Sequence, residues 1–207
     1  MPRSAADNQI RRDATRARLI DAALELFGRR GYASTPVDAV ARAAGVSPGL
    51  LYHHFRGKSD LLHAIFEESM RDVDATFADA DREPDPARRL AALLRSIAAH
   101  VKARRRFWML AYGVRMQPDV LEGLDVALDA STTRILTTLE RYLGGVGWPD
   151  ARLEAVLLFA QIDGLHQHYV LNPEQYPLDA AIERLIARYS ASSARRRRAP
   201  VQKARRP

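Results

Sequence analysis

The sequence predicts an all-α protein in two parts, a small three-helix N-terminal unit and a larger helical body. Three observations predict it. Apolar residues recur at i, i+3, i+4 and i+7 along most of the chain, the period that lines one face of a helix. Start and stop signals bracket the early segments, with Thr-Pro or Ser-Pro before a run and Gly after it. No run alternates polar with apolar residues or gathers Val and Ile as a strand would.

The first helix is expected from about Thr15 to Arg30, where Ile20, Ala23, Leu24 and Phe27 form one buried stripe. Arg29 and Arg30 suit its last turn and Gly31 ends it. Thr35-Pro36-Val37-Asp38 reads as a capping Thr, a Pro at the first helical position and an acid three residues after the cap. Val37, Val40, Ala41 and Ala44 continue that second helix to Gly45. Ser47-Pro48 opens a third, short helix to about His54, and Gly57-Lys58 opens a fourth that carries Leu61, Leu62, Ile65, Phe66 and Met70 toward Phe77. An acidic, Pro-bearing linker follows at residues 81–86. Beyond it, helices are expected over 87–102, 107–116, 119–143, 150–171 and 178–190, separated by Pro- and Gly-bearing turns.

Composition narrows the chemistry. The 207 residues are 47% hydrophobic and 28% charged, enough for a real core. There is no Cys, which excludes disulfides, thiolate catalysis and Cys-based zinc sites. No apolar run approaches the roughly 18 residues of a membrane span, and the first residues lack the apolar middle of a secretory signal, so a soluble cytoplasmic protein with no membrane partner is expected. The net charge of +7 divides unevenly: residues 1–60 carry +4, residues 61–190 carry −4, and the tail 191–207 carries +7. A basic head on an acidic body suits a polyanion at one end only. The tail itself has little apolar content to order it, so its expected state is disorder.

Gly45-Val46-Ser47-Pro48-Gly49 spells G-x-S-x-G, the nucleophile elbow of serine hydrolases. That chemistry needs a strand entering the turn and a backbone N–H on the residue after the serine; here a helix enters and the next residue is Pro, which has none. One lost oxyanion donor forfeits about 3 kcal/mol of transition-state stabilisation. A helix-turn-helix explains every position instead. Gly45 supplies a positive φ, Val46 lies under the turn, and Ser47 caps the second helix. Leu51 and Phe55 face inward, which leaves Pro48, Gly49, Tyr52 and His53 outward, as a helix entering the major groove requires.

The run from Arg18 to Glu67, with T-P-V-x-x-V-A-x-x-A-G-V-S-P-G-x-L-Y-H-H-F-x-x-K-x-x-L-L, resembles the DNA-binding region of the TetR family of bacterial transcriptional regulators. The resemblance covers roughly fifty residues. It implies a homodimer that binds a palindromic operator in double-stranded DNA, more often as repressor than activator, and lets go when a small molecule enters the C-terminal domain. By the same resemblance Thr35, Ser47, Tyr52 and Lys58 match phosphate-contacting positions, and Pro48, Gly49 and His53 match positions near base edges. Two residues depart from the family's pattern. Leu50 stands where Thr is usual, offering an apolar contact to a thymine methyl, and His54 stands where Tyr is commoner. Lys58 has an independent argument: a cation in a helix's first turn opposes the macrodipole, but with the N-terminal N–H groups it makes a phosphate site. The arm carrying Arg3, Arg11, Arg12, Arg16 and Arg18 is in reach of a minor groove or phosphates, or simply solubilises the terminus.

The expected organisation is therefore a helix-turn-helix DNA-binding domain over 1–60, a connecting helix with a helical ligand-binding and dimerisation domain over 61–190, and the basic tail over 191–207. The segment from Leu153 to Leu171 is apolar all round its circumference and must be buried on more than one side. A subunit interface supplies the second side, formed by Leu153, Val156, Ala160, Gly164 and His168 with Ile182, Leu185, Ile186 and Tyr189 of the last helix. Candidate effector contacts are Trp108, Tyr112 and Met116, then Leu128, Thr132 and Ile135, then Gln161 and His166, a mostly apolar set suited to a hydrophobic or amphipathic ligand. His53 with His54, and His166 with His168, lack metal-ligand spacing on a helix, so no metal and no cofactor are expected. Nor does any spacing gather the acids, bases or nucleophile of an enzyme. Control by a protein partner rather than a small molecule is the alternative.

Overall fold

A computed structural model describes residues 5–121 and 124–190. It contains ten helices and no strand among the described residues: α1 (Ala5–Arg30), α2 (Val37–Ala43), α3 (Pro48–His54), α4 (Lys58–Ala80), α5 (Pro86–Ala103), α6 (Arg105–Val114), α7 (Pro118–Leu121), α8 (Asp125–Val146), α9 (Ala151–Leu171) and α10 (Leu178–Tyr189). The basic tail and Arg3 lie outside the described residues.

Over the described residues the helices gather into two compact units, one within 5–72 and 104–126, the other within 73–103 and 127–190. The first holds α1, α2, α3, α6, α7 and the first part of α4. Its core is the apolar stripe of each helix turned inward: Leu19, Ile20, Ala23 and Phe27 of α1, Val40 and Ala41 of α2, Leu51 of α3, Leu61, Leu62 and Ile65 of α4, Phe107 and Leu110 of α6. Each large side chain buried this way contributes about 1.5–3 kcal/mol. The Phe66 and Phe107 rings meet edge to face at 5.3 Å, a favoured aromatic geometry. In the Arg104-Arg105-Arg106 run, Arg104 pairs with Asp72 and Arg106 with Glu25.

In the second unit, α5, α8, α9 and α10 with the end of α4 enclose Leu90, Leu93, Leu94, Leu139, Tyr142, Leu143, Leu158, Ile182 and Tyr189, among others. Trp148 Nε1 donates to the Tyr189 carbonyl at 3.0 Å, which satisfies a buried donor that would otherwise cost about 1–3 kcal/mol. Two ion pairs tie α4 to α8: Asp74 with Arg134 at 3.2 Å and Asp81 with Arg141 at 3.0 Å. Both partners step by seven residues, so one register satisfies both pairs. Asp81 also accepts from the Tyr142 hydroxyl at 2.8 Å. Burial and that carboxylate push the Tyr142 phenol up to about 12, while the Arg141 and Tyr142 donors hold the Asp81 carboxyl below its usual range.

Three elements differ from expectation. Helix α1 begins at Ala5, about ten residues before the apolar stripe does. Its N-terminal part is polar all round and so carries no periodicity, yet it is rich in Ala and Arg, holds no Gly or Pro, and gains an i,i+4 hydrogen bond from Gln9 to Asp13. The helix expected over 119–143 is two, α7 and α8, on either side of residues 122–123. Helix α8 also runs through Gly144 and Gly145 to Val146, because Leu143 and Val146 are buried in the core and tertiary packing outweighs the glycines' low propensity.

Candidate nucleic-acid interface

The turn between α2 and α3 is a Schellman motif. Gly45 takes φ 67°, a left-handed conformation that residues with a Cβ avoid. Its N–H donates to Arg42 O at 3.1 Å and the Val46 N–H donates to Ala41 O at 3.0 Å, which satisfies two orphan carbonyls at the end of α2. Two residues later Ser47 caps α3, its Oγ accepting the Leu50 N–H at 3.2 Å, with Pro48 at the first helical position. Only four residues thus separate the two helices, as a helix-turn-helix requires.

Because Leu51 and Phe55 are buried, the opposite side of α3 is turned out. It presents Pro48, Gly49, Leu50, Tyr52 and His53, all exposed. Tyr52 is 54% and Leu50 39% exposed. Gly49 is the most informative member. A Cβ built there meets nothing within 4 Å, so packing within the protein does not demand the glycine, although it costs about 1 kcal/mol against Ala in a helix.

Two phosphate candidates have other roles in the structure. Thr35 neither caps α2 nor reaches the surface: Pro36 occupies the cap position without a side-chain bond, and Thr35 is fully buried. Its Oγ1 donates to Gly31 O at 2.9 Å, tying the α1–α2 loop to the end of α1. A hydroxyl so enclosed has no free atom for a phosphate, which corrects both expectations for its side chain. The Lys58 ammonium donates to Tyr32 O at 2.9 Å and Ala33 O at 3.0 Å, and lies 4.5 Å from the Tyr32 ring centroid. Burial holds its pKa below the usual lysine value. Lys58 therefore pins the α1–α2 loop against the start of α4, a role no sequence spacing signals because its partners are carbonyls 25 and 26 residues away.

The candidate effector residues fall in different units. Trp108, Tyr112 and Met116 belong to the first; Leu128, Thr132, Ile135, Gln161 and His166 belong to the second. Trp108 and Tyr112 are half-buried with ring centroids 5.9 Å apart, whereas Met116 is 84% exposed. Gln161 donates to the Tyr189 hydroxyl at 2.7 Å and to Leu157 O, so its amide is already used within the protein. His166 is buried, and burial lowers its pKa to about 4, the nearby Asp163 opposing and His100 assisting. Its proton is thus bound in the unfolded chain below about 6.5 but excluded from the folded one until about 4. Stability is expected to fall by about 3 kcal/mol as pH drops across that window, and His166→Phe to remove most of that slope in urea melts taken at pH 6.5 and 4.5.

The expected interface residues also divide. Ile182, Leu185, Ile186 and Tyr189 are buried within the second unit's own core, because α10 turns its single apolar stripe inward; they present no surface to a second copy. On α9, Ala155, Leu158, Ile162, His166 and Val170 face that core. Its other side stays open: Leu153 is 54% exposed and Val156 46%, and Ala160 and His168 are exposed too, with Gly164 half-buried. Leu157 and Leu171, exposed at 46% and 72%, extend the patch beyond the residues that spacing singled out. The signal for them was present in the apolar residues spread all round the circumference of the helix.

Among the described residues no helix is long and apolar enough to cross a membrane, and no group of three or more His, Asp or Glu is placed to hold a metal ion. Residues 19–65 match the model of the bacterial regulatory proteins, tetR family. The chain is 29% identical over 184 residues to the HTH-type transcriptional regulator TtgR of Pseudomonas putida, covering 83% of this chain and 88% of that one. It is 27% identical over 174 residues to the fatty acid metabolism regulator protein of Bacillus subtilis, covering 78% and 87%. Among solved structures, FadR from Bacillus subtilis in complex with stearoyl-CoA shares the fold at TM-score 0.71 and 21% identity, covering 84% of this chain and 97% of that one. With a Gly-turned, Ser-capped helix pair inside the matched segment, residues 19–65 are a TetR-type helix-turn-helix, and over most of its length the chain is similar to DNA-binding transcriptional regulators of the TetR family.

Proposed function

We propose that the protein is a cytoplasmic repressor that binds a palindromic operator as a homodimer and releases it when a small amphipathic molecule with a long acyl chain enters the helical body. The observation that carries the DNA-binding part is the outward face of α3, where a glycine without internal need sits among exposed Leu50, Tyr52 and His53. The dimer is supported by the open side of α9. An uncovered apolar helix face is costly in water, and a two-fold partner would cover it while pairing two recognition helices for an inverted repeat. The acyl class of effector is supported by the stearoyl-CoA held by the structural neighbour and by the apolar make-up of the body.

Release follows from linkage. An effector shifts the protein toward a form that misfits DNA only by as much as it binds that form more tightly, and moving a 1:99 equilibrium to 99:1 needs a preference of about 10⁴. Helix α4, whose first part belongs to the DNA-binding unit and whose end belongs to the body, would carry the shift. Stearoyl-CoA titrated into the protein–operator complex should lower fluorescence anisotropy to that of free DNA, whereas CoA alone should not. Anisotropy unchanged by acyl-CoA thioesters and by free fatty acids would contradict the effector assignment and turn attention to a protein partner.

Lys58 retains one ammonium hydrogen beyond its two carbonyl bonds, and that hydrogen would reach a backbone phosphate. Lys58→Ala is expected to weaken operator and random DNA alike and to lower the salt slope by about 1. A slope equal to that of the wild type would assign Lys58 to the loop alone.

A further inference from the structure

The outward side of α3 changes chemistry along its length. Residues advance about 100° round a helix axis, so with Leu51 and Phe55 buried the outermost line of α3 runs through His53, with Gly49 about 40° to one side of it and Leu50 about 60° to the other. All three are exposed. Tyr52 lies about 100° and Pro48 about 140° from that line, off the outermost strip. Gly49 has no side chain, so in the first turn Leu50 alone projects one from the strip. The backbone there is short of donors as well. Pro48 has no N–H, and the N–H groups of Leu50 and Leu51 donate to Ser47, to its Oγ at 3.2 Å and its carbonyl O at 3.2 Å.

In a helix-turn-helix the first residues of the second helix stand over base edges. Every base pair offers donors and acceptors to the major groove, and the side chain of Leu50 can bond to none of them. The apolar feature in that groove is the C5-methyl group of thymine. A leucine pressed on a bare polar edge removes water from it and returns no hydrogen bond, whereas one pressed on a methyl group buries apolar surface on both partners. 5-Methylcytosine carries a methyl group at the same ring position. Leu50 has no atom that tells the thymine O4 acceptor from the cytosine N4 donor beside it.

We propose that Leu50 reads the C5-methyl group of one pyrimidine under each recognition helix and nothing else of that base, so that thymine and 5-methylcytosine satisfy it while uracil and cytosine do not. The inference rests on the placement of α3 in the major groove and names what its first turn recognises there. Gly49, where packing within the protein needs no glycine, lets the backbone beside Leu50 come close enough for a four-carbon side chain to reach the methyl group. Cytosine methylation at that position would then create a binding determinant rather than block one.

The test is anisotropy on the duplex recovered by selection, with thymines replaced by uracil one position at a time. At one position under each recognition helix, uracil should weaken wild-type binding about fourfold, the worth of one buried methyl group. At that same position, 5-methylcytosine paired with guanine should bind about fourfold more tightly than cytosine paired with guanine. Each comparison changes the methyl group alone, so whatever the purine contributes cancels. Both differences should disappear in Leu50→Ser, and the two wild-type comparisons need no variant to fold. Uracil losses that are absent at every position, or that persist unchanged in Leu50→Ser, overturn the proposal. So does a methyl group that strengthens binding on uracil but not on cytosine. A selection that enriches no sequence overturns the base-reading role of α3 and the inference with it.

Discussion

Replacing Leu153 and Leu157 by Glu is expected to leave a folded protein that is monomeric and binds its operator about a thousandfold more weakly, or worse. Both side chains are about half exposed on the open side of α9, so the single protomer buries little of either and its stability should change by no more than about 0.5 kcal/mol each. In a two-fold interface the same patch meets itself, so two new carboxylates become four, in a contact that excludes the water needed to screen them. A monomer presents one recognition helix where a palindrome needs two. The loss is then much of the gap between specific and non-specific binding, which spans about 10³ to 10⁷. Light scattering at micromolar protein, circular dichroism and anisotropy measure the three parts separately. A wild-type protein already monomeric under those conditions would refute the dimer.

Gly49→Ala is expected to move stability and affinity in opposite directions. Nothing within 4 Å would meet the added Cβ, and the glycine has no left-handed φ, so Ala should stabilise α3 by about 0.5–1 kcal/mol through helix propensity and a less flexible unfolded chain. Against DNA the same methyl group stands where backbone approaches base edges. If the clash in each half-site resembles one mismatched base pair, about 1–3 kcal/mol, the dimer loses about 2–6 kcal/mol of operator binding. Urea melts and anisotropy on one preparation suffice. A variant that is more stable and binds with unchanged affinity would show that Gly49 lies away from the groove.

The helix-turn-helix was legible because its signals are local. Gly45, Ser47 and Pro48 each act within a few residues of themselves, and the inward Leu51 and Phe55 follow from helical spacing alone. The all-helical body was legible as a class for the same reason, and the apolar residues all round the circumference of α9 announced a helix with two sides to cover. What the sequence hid depends on distant partners. Thr35 reads as a cap, but its hydroxyl turns back to Gly31 because the loop folds against the end of α1. Lys58 reads as a free cation, but its ammonium donates hydrogen bonds to loop carbonyls far behind it in the chain. The stripe of α10 reads as a shared interface, but spacing shows only that a face is apolar, not whether its own chain or a second one covers it. The long start of α1 was hidden for another reason: a solvated helix held by propensity leaves no apolar period.

The central claim is that α3, paired across a two-fold dimer, reads an inverted repeat. Selection of bound duplexes from a random pool, run in parallel with wild-type protein and the Leu153→Glu, Leu157→Glu variant, tests it most directly. The account predicts that wild type enriches a two-fold symmetric sequence and that the variant enriches none. Enrichment of an unrepeated site by wild type, or of the same repeat by a monomeric variant, would contradict it.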